Sequence, residues 1–319
     1  MKPNANYSRL AGGILEYVRK IVDLAVGNNW KIIIWGFGRG GKFLRHLIQD
    51  FDGRAAVDYI IDEKLRVSYD AVPAVYHSTL LEYLNPSESM ILSTIKHLDT
   101  ISDKVEKYGY IKNKNLYDVY SDIGDSYIEY LERQYTQVDF KSVFATEIAY
   151  EKECNEHIPF GYSCVDHVFS AVASLEVTLE EPIAFFDFGC GKGAAILMAY
   201  LHGITKLGGI ELIPDIYEQA KTNMETLKIE CSLLNGDAAE CEIDAYNCFF
   251  LYNPFHGSIF EKVIGRIEES FLKRRRRIYL VYANPFEHKT VIKNGRFRLY
   301  KQIRVDLFDP LLNIYRIEG

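Results

Sequence analysis

What this sequence lacks narrows the field first. None of its six cysteines forms a C-x-x-C pair, and none of its eight histidines joins a cluster at zinc-ligand spacing. No metal is therefore expected. Several cysteines lie in apolar runs such as Asn247-Cys248-Phe249-Phe250, the setting of buried free thiols in a reducing compartment. The opening MKPNANYSRL has no apolar core of the secretory-signal kind. No run approaches the roughly 18 apolar residues a membrane span needs, so the expected location is cytoplasmic, without membrane contact. An excess of positive charge is missing too: 37 Lys and Arg face 44 Asp and Glu, a formal net charge of −7. A broad nucleic-acid surface normally carries the opposite sign, so nucleic acid is not expected as a partner. Internal repeats and low-complexity tracts are also absent.

What is present is enough apolar material, 48% of 319 residues, for two cores. Apolar residues at helical spacing (Leu10, Ile14, Val18, Ile21, Leu24, Ala25) mark a first helix over 7–26. Then Lys31–Trp35 reads as a buried strand, a glycine turn follows, and residues 42–49 form an amphipathic helix. Strands at 56–61 and 90–93 complete a small parallel α/β unit. From about 120 to 165 the pattern turns helical and polar. A second α/β unit starts at Pro182, with strands at 183–186, 207–210, 229–234, 248–252 and 277–283 and helices at 213–227 and 258–271. The stretches 297–307 and 311–317, around Asp309-Pro310, suggest a closing hairpin. The expected organisation is α/β: a Rossmann-like accessory domain over 1–125, a helical linker and lead-in over 126–165, and a second Rossmann-like domain over 166–319.

The second unit carries a coincidence of four strand ends. Asp187-Phe188-Gly189-Cys190-Gly191-Lys192-Gly193 takes a strand through a glycine turn into a helix, where the backbone approaches a ligand closely and free N–H groups face it. Glu211 closes the next strand, 24 residues after Asp187; a carboxylate there can accept from both hydroxyls of a ribose. In Asn235-Gly236-Asp237-Ala238 the acid can accept from an adenine amine while the next N–H meets a ring nitrogen. Tyr252-Asn253-Pro254-Phe255 ends a further strand. Ligands of open α/β sheets bind along such ends.

With these motifs, residues from about 162 to 317 resemble class I S-adenosylmethionine (SAM)-dependent methyltransferases, and within them bacterial relatives of the lysine methyltransferases of the nucleosome core. Leu280-Val-Tyr-Ala-Asn284-Pro285 adds to the match. The resemblance implies a seven-stranded sheet with an antiparallel last strand. It implies SAM as cofactor, held by Asp187, Gly189, Gly191 and Gly193 at its methionine part, by Glu211 at the ribose and by Asp237 and Ala238 at the adenine. Asn253 stands where many N-methyltransferases keep Asn or Asp before proline, although this chain has one proline fewer. Asn253 would accept from a target amine, Phe255 would pack over the target, and His256 or Tyr162 would take a proton where the nucleophile needs one. The methyl acceptor, an amine or hydroxyl of a protein, glycan or small molecule, is not identified.

The first unit has its own glycine turn. Gly36-x-Gly38-x-x-Gly41 follows a strand and opens a helix, and Asp62 lies 21 residues further on, a dinucleotide-type arrangement. A P-loop is excluded, because Phe43 stands where the Ser or Thr magnesium ligand belongs. Residues 32–120 also resemble small Rossmann-like domains attached to bacterial sugar-modifying transferases, which implies a candidate second site, at Gly36, Gly38, Gly41 and Asp62, for a nucleotide or sugar nucleotide. Two other readings stay open: a nucleotide-binding sensor without transferase activity, and an NAD-dependent oxidoreductase run from this loop. The run Lys273–Arg277 reads as a solvated helix end, and Cys190 as a packing thiol.

Overall fold

The structure, a computed structural model, describes residues 5–50, 55–63, 75–96, 98–123, 127–142, 182–303 and 311–317. The chain divides into two compact units, Met1–Gln134 and Tyr135–Gly319. The division falls inside the stretch read from sequence as linker.

In the first unit, helix α1 (Ala5–Gly27) buries Leu10, Ile14, Val18, Ile21 and Ala25, the helical stripe legible in the sequence, while Leu24 stays exposed. Next come β1 (Lys31–Trp35), α2 (Arg39–Asp50), β2 (Val57–Ile61), β3 (Val75–Tyr76), β4 (Ser89–Ser93), α3 (Asp99–Glu106), β5 (Leu116–Asp118), α4 (Val119–Ile123) and α5 (Tyr127–Gln134). The five strands pair in parallel in the order β3-β2-β1-β4-β5. Strand order reverses between β1 and β4, which opens a crevice at their carboxyl ends. The sequence reading found β1, β2 and β4. It missed β3 and β5, which at two and three residues are too short to show a period.

In the second unit the elements are β6 (Ala184–Phe188), α6 (Ala194–Leu201), β7 (Lys206–Glu211), α7 (Pro214–Thr226), β8 (Ser232–Asn235), β9 (Cys248–Tyr252), α8 (Gly257–Lys273), β10 (Ile278–Ala283), α9 (His288–Ile292), β11 (Arg298–Ile303) and β12 (Leu312–Ile317). They build a seven-stranded sheet in the order β11-β12-β10-β9-β6-β7-β8. Strand β12 runs antiparallel to both its neighbours, and the other pairs are parallel. This is the sheet the sequence led one to expect, hairpin included; its Asp309-Pro310 turn lies outside the described residues. The expected strand at 229–234 begins only at Ser232, because Ile229 still closes α7 through its N–H to Met224 O, 2.8 Å.

Strands β6, β9 and β10 are buried almost throughout, as central parallel strands must be. Phe186, Phe188, Tyr246 and Phe249 cluster on one face, with neighbouring ring centroids 4.9 to 5.8 Å apart. Such pairs add about 0.5–1.5 kcal/mol each beyond their area. That rigid platform fixes where β6, β7 and β9 end. Among the described residues no helix is long and apolar enough to cross a membrane, and no group of three or more His, Cys, Asp or Glu is placed to hold a metal ion.

Candidate cofactor and acceptor site

The loop after β6 is built by glycine. Gly189, Gly191 and Gly193 have φ of +70°, +53° and +86°, where side chains are strained. Gly189 has a second constraint: a Cβ there would lie 2.4 Å from Cβ of Pro254. The glycine loop and the Asn253-Pro254 loop after β9 are therefore in contact, which sequence alone only suggested. Gly193 caps α6 without a side-chain hydrogen bond at that helix start, so its first N–H groups are left to the loop.

Two carboxylates stand behind the loop. Asp187 is 4% and Glu211 8% exposed. Glu211 Oε2 accepts from Gly191 N–H at 2.9 Å and Oε1 from Ile213 N–H at 3.0 Å. Burial pushes the Glu211 carboxyl up, partly countered by those backbone hydrogen bonds. Burial, then repulsion from Glu211, pushes Asp187 well above the ordinary carboxylate range. Both groups would ionise more readily beside a cation.

The lysine of the loop does not serve that purpose. Lys192 is 1% exposed and turns to the lead-in segment, where its Nζ donates to Asp139 Oδ2 at 2.6 Å, to Ser142 O at 2.7 Å and to Ser142 Oγ. Burial works against ionisation of Asp139, but hydrogen bonds from Lys192 and Ser142 prevail and hold its pKa at about 2. Asn223 of α7 completes the knot: Asp139 N–H donates to its Oδ1 at 2.9 Å, and its Nδ2 donates to Asp139 O at 2.8 Å and to Lys192 O at 3.0 Å. Residues 137–142 are thus fastened to the glycine loop. Sequence reasoning missed this, since three polar residues at separations of 31 to 84 form no motif.

At the third strand end, Asp237 is exposed and its Oδ1 accepts from Ala239 N–H at 2.8 Å, which leaves its other oxygen toward solvent. Ala238 is half-buried. Asn235 lies closer in, donating to Glu211 O at 2.8 Å and Leu212 O at 3.2 Å.

At the fourth, Asn253 has φ +47°. Phe255 departs from expectation: it is 4% exposed, in the core beside Phe260 at 6.3 Å. Its ring anchors the loop from below and does not face an acceptor. His256 is exposed and precedes α8 without capping it through its side chain. Tyr162 lies outside the described residues. Alongside, Asn284 at the end of β10 follows Ala283, which pairs with Tyr252. It too has positive φ, +53°.

Cys190 is fully buried, and burial, with Asp187 and Glu211 nearby, raises its thiol well above the ordinary range. Burial likewise pushes Cys248 up to about 12. These thiols are packing groups. In the basic run, Arg276 is structural. Its guanidinium is 6% exposed and donates to Tyr246 O from Nε and Nη2 at 2.8 and 2.6 Å, and to Ser270 O, Arg274 O and Ser270 Oγ at 2.9 to 3.0 Å. Arg275 lies over the Phe271 ring, 4.6 Å from its centroid.

In the first unit, Gly36 has φ +96°, nothing stands within 4 Å of a Cβ on Gly38, and a Cβ on Gly41 would lie 1.9 Å from Gly36 O. One glycine turns the chain, one leaves open space and one lets α2 pack against the turn. Asp62 Oδ2 accepts from Phe37 N–H at 2.8 Å, and Thr94 Oγ1 donates to Gly36 O at 2.8 Å. Asp62 thus braces its loop much as Glu211 does.

No protein-family model and no curated protein matches this chain. Among solved structures, an RNA methyltransferase from Salinibacter ruber in complex with S-adenosyl-L-homocysteine is similar, at 20% identity over 51% of this chain and 95% of that one, with a TM-score of 0.38. A ribosomal protein L11 methylase from Lactobacillus delbrueckii subsp. bulgaricus is 11% identical over 50% and 81%, with a TM-score of 0.39. A Pyrococcus abyssi tRNA (uracil-54, C5)-methyltransferase, also with S-adenosyl-L-homocysteine, is 15% identical over 51% and 40%, with a TM-score of 0.40. Likeness at this level adds nothing to what the strand order already establishes.

Proposed function

We propose that residues 166–319 form a SAM-dependent methyltransferase domain, joined to a Rossmann-like accessory domain in the N-terminal unit. The observation that carries this reading is the pair of buried carboxylates, Asp187 and Glu211, behind a glycine loop whose own lysine is engaged elsewhere. Burial disfavours two adjacent anions, and a cationic ligand reverses that penalty. The donor set suits SAM: Glu211 keeps a second lone pair on each oxygen for ribose hydroxyls, Asp187 faces a cationic amino-acid part, and Asp237 and Ala238 serve the adenine. When bound, SAM supplies an electrophilic methyl carbon with a good leaving group. The protein's task is then mainly positioning. Asn253 orients the nucleophile's lone pair from the loop against Gly189, and exposed His256 takes the proton where the nucleophile is a hydroxyl or ammonium. The resemblance to nucleosome-core lysine methyltransferases supports an amine acceptor. The resemblance of the N-terminal unit to domains of sugar-modifying transferases supports an accessory nucleotide or sugar-nucleotide site at Gly36, Gly38, Gly41 and Asp62. Buried thiols suit the cytoplasm.

Calorimetric titration of wild type and Glu211→Ala with SAM and S-adenosylhomocysteine tests the reading. Micromolar binding by wild type, weakened at least about tenfold in the variant, is expected; that is a loss of about 1.4 kcal/mol or more. A folded wild type that binds neither compound refutes it.

A further inference from the structure

The acceptor site needs a wall, and Phe255, buried in the core, does not provide one. The sequence Asn-Pro-Phe occurs twice, at 253–255 and at 284–286. The two copies end neighbouring strands in register, Tyr252 beside Ala283, and the asparagine of each is left-handed. Their phenylalanines have opposite fates: Phe255 is 4% exposed and Phe286 80%.

Phe286 is firmly presented. Its N–H donates to Asn284 O at 2.7 Å, and Asn284 N–H donates to Leu311 O at 2.9 Å. The next residue, Glu287, bridges the two loops: its Oε1 accepts from Gly257 N–H at 3.2 Å and its Oε2 from Thr290 Oγ1 at 2.8 Å. Gly257 follows His256, and Pro254 touches Gly189. One continuous line of contacts therefore joins the glycine loop to an exposed aromatic ring.

Beyond Phe286 the charge changes. Residues 287–317 hold seven Lys and Arg and three Asp and Glu; the rest of the chain holds 30 and 41. The overall negative charge, which spoke against nucleic acid, conceals this segregation. On leaving Phe286, exposed Lys289 on α9, then Lys293 and Arg296 in the connection that follows, lead to exposed Arg298 and Lys301 on the edge strand β11, with no acid between 289 and 302. Lys293 is 3.4 Å from exposed Glu261, and Arg296 is 3.7 Å from Glu268. The Lys293 pair is exposed on both sides and exchanges easily; Glu268 is only 8% exposed, so Arg296 stays with that buried carboxylate. Arg298 stands opposite Arg316, which covers Tyr300 at 4.5 Å. Like charges opposed across strands are destabilising. Guarding an edge against aggregation asks for charge of either sign; here it is all positive.

We infer that Phe286 stacks on the base of a single-stranded RNA whose phosphates run along this basic edge, which makes Phe286 the acceptor-contacting aromatic of the site. The inference rests on the methyltransferase reading for its purpose, though not for its test. Stacking on an exposed aromatic is sequence-tolerant, and phosphate contacts give the strand its direction.

The test is fluorescence anisotropy of a labelled mixed-sequence RNA 12-mer on the full chain, with and without saturating S-adenosylhomocysteine, at about 50 and about 200 mM salt. Wild type is expected to bind, and more weakly at the higher salt. Phe286→Ala is expected to weaken binding about 5- to 100-fold with an unchanged salt slope, and Phe286→Tyr to restore it. Lys289→Glu with Lys293→Glu and Arg298→Glu flattens the slope. All these sites are exposed, and thermal midpoints verify folding. No RNA binding at low salt, wild-type binding by Phe286→Ala, or capture of phosphatidylserine vesicles in place of RNA overturns the inference. Failure of S-adenosylhomocysteine to bind would count against the cofactor reading alone, because the RNA arm is read without it.

Discussion

Two neighbouring groups of acids in the second unit have opposite electrostatic fates, and pH separates them. Asp187, pushed up by burial and by Glu211, favours the protonated form in the folded state. Its contribution is fully present below the unfolded value, near 3.9, and is lost as pH rises through the raised folded value. Asp187→Asn is accordingly expected to raise the melting temperature of the apo protein at neutral pH, while weakening SAM binding. The gain should shrink as pH falls toward 4; an unchanged melting temperature at neutral pH would contradict the electrostatic account of the site. Asp139, held at about 2 by Lys192 and Ser142, works the other way. Its contribution is present above the unfolded value and is lost between about pH 4 and about pH 2. In Lys192→Met that acid-side loss should shrink in a melting-temperature profile, while Ser142 still donates to the carboxylate. The four strand-end motifs were legible as residues, since each is local. The Lys192–Asp139–Asn223 knot was not, because only the fold brings those residues together.

The loops after β1 and β6 show how little room an α/β turn leaves. At Gly41 a Cβ would enter the carbonyl of Gly36, and at Gly189 it would enter Pro254. Gly41→Ala is expected to destabilise the first unit by about 1–3 kcal/mol, the usual cost of forcing atoms into a packed site. Tryptophan fluorescence is the suitable readout, since Trp30 and Trp35, the chain's two tryptophans, both lie in that unit. A wild-type midpoint would show that α2 shifts without cost. Long periodic elements such as α1, and the continuous apolar strands, were readable beforehand. β3 and β5 were not: they are strands only because β2 and β4 offer them an edge. Phe255 was misjudged for a related reason. Next to an Asn-Pro pair, sequence cannot tell an aromatic that faces a ligand from one that faces the core.

At the scale of the whole molecule, composition misleads where it averages. The net charge of −7 describes no particular region of this chain, because the last strands are basic and the rest is acidic. The seven-stranded sheet, by contrast, was foreseeable as what the family resemblance implies, with the alternation of elements and the terminal hairpin fitting it; its strand order comes from the fold.

The antiparallel strand β12 also has a consequence for biogenesis. It sits between β10 and β11, so β11 has no partner in the sheet until β12 arrives. A ribosome making this chain releases β10 and β11 first, and must expose the fully buried edge of β10 until residues 312–317 emerge. Nascent chains halted before Leu312 should then be holdase clients, and the strand Leu312–Ile317 acts as the latch that ends their dependence on chaperones.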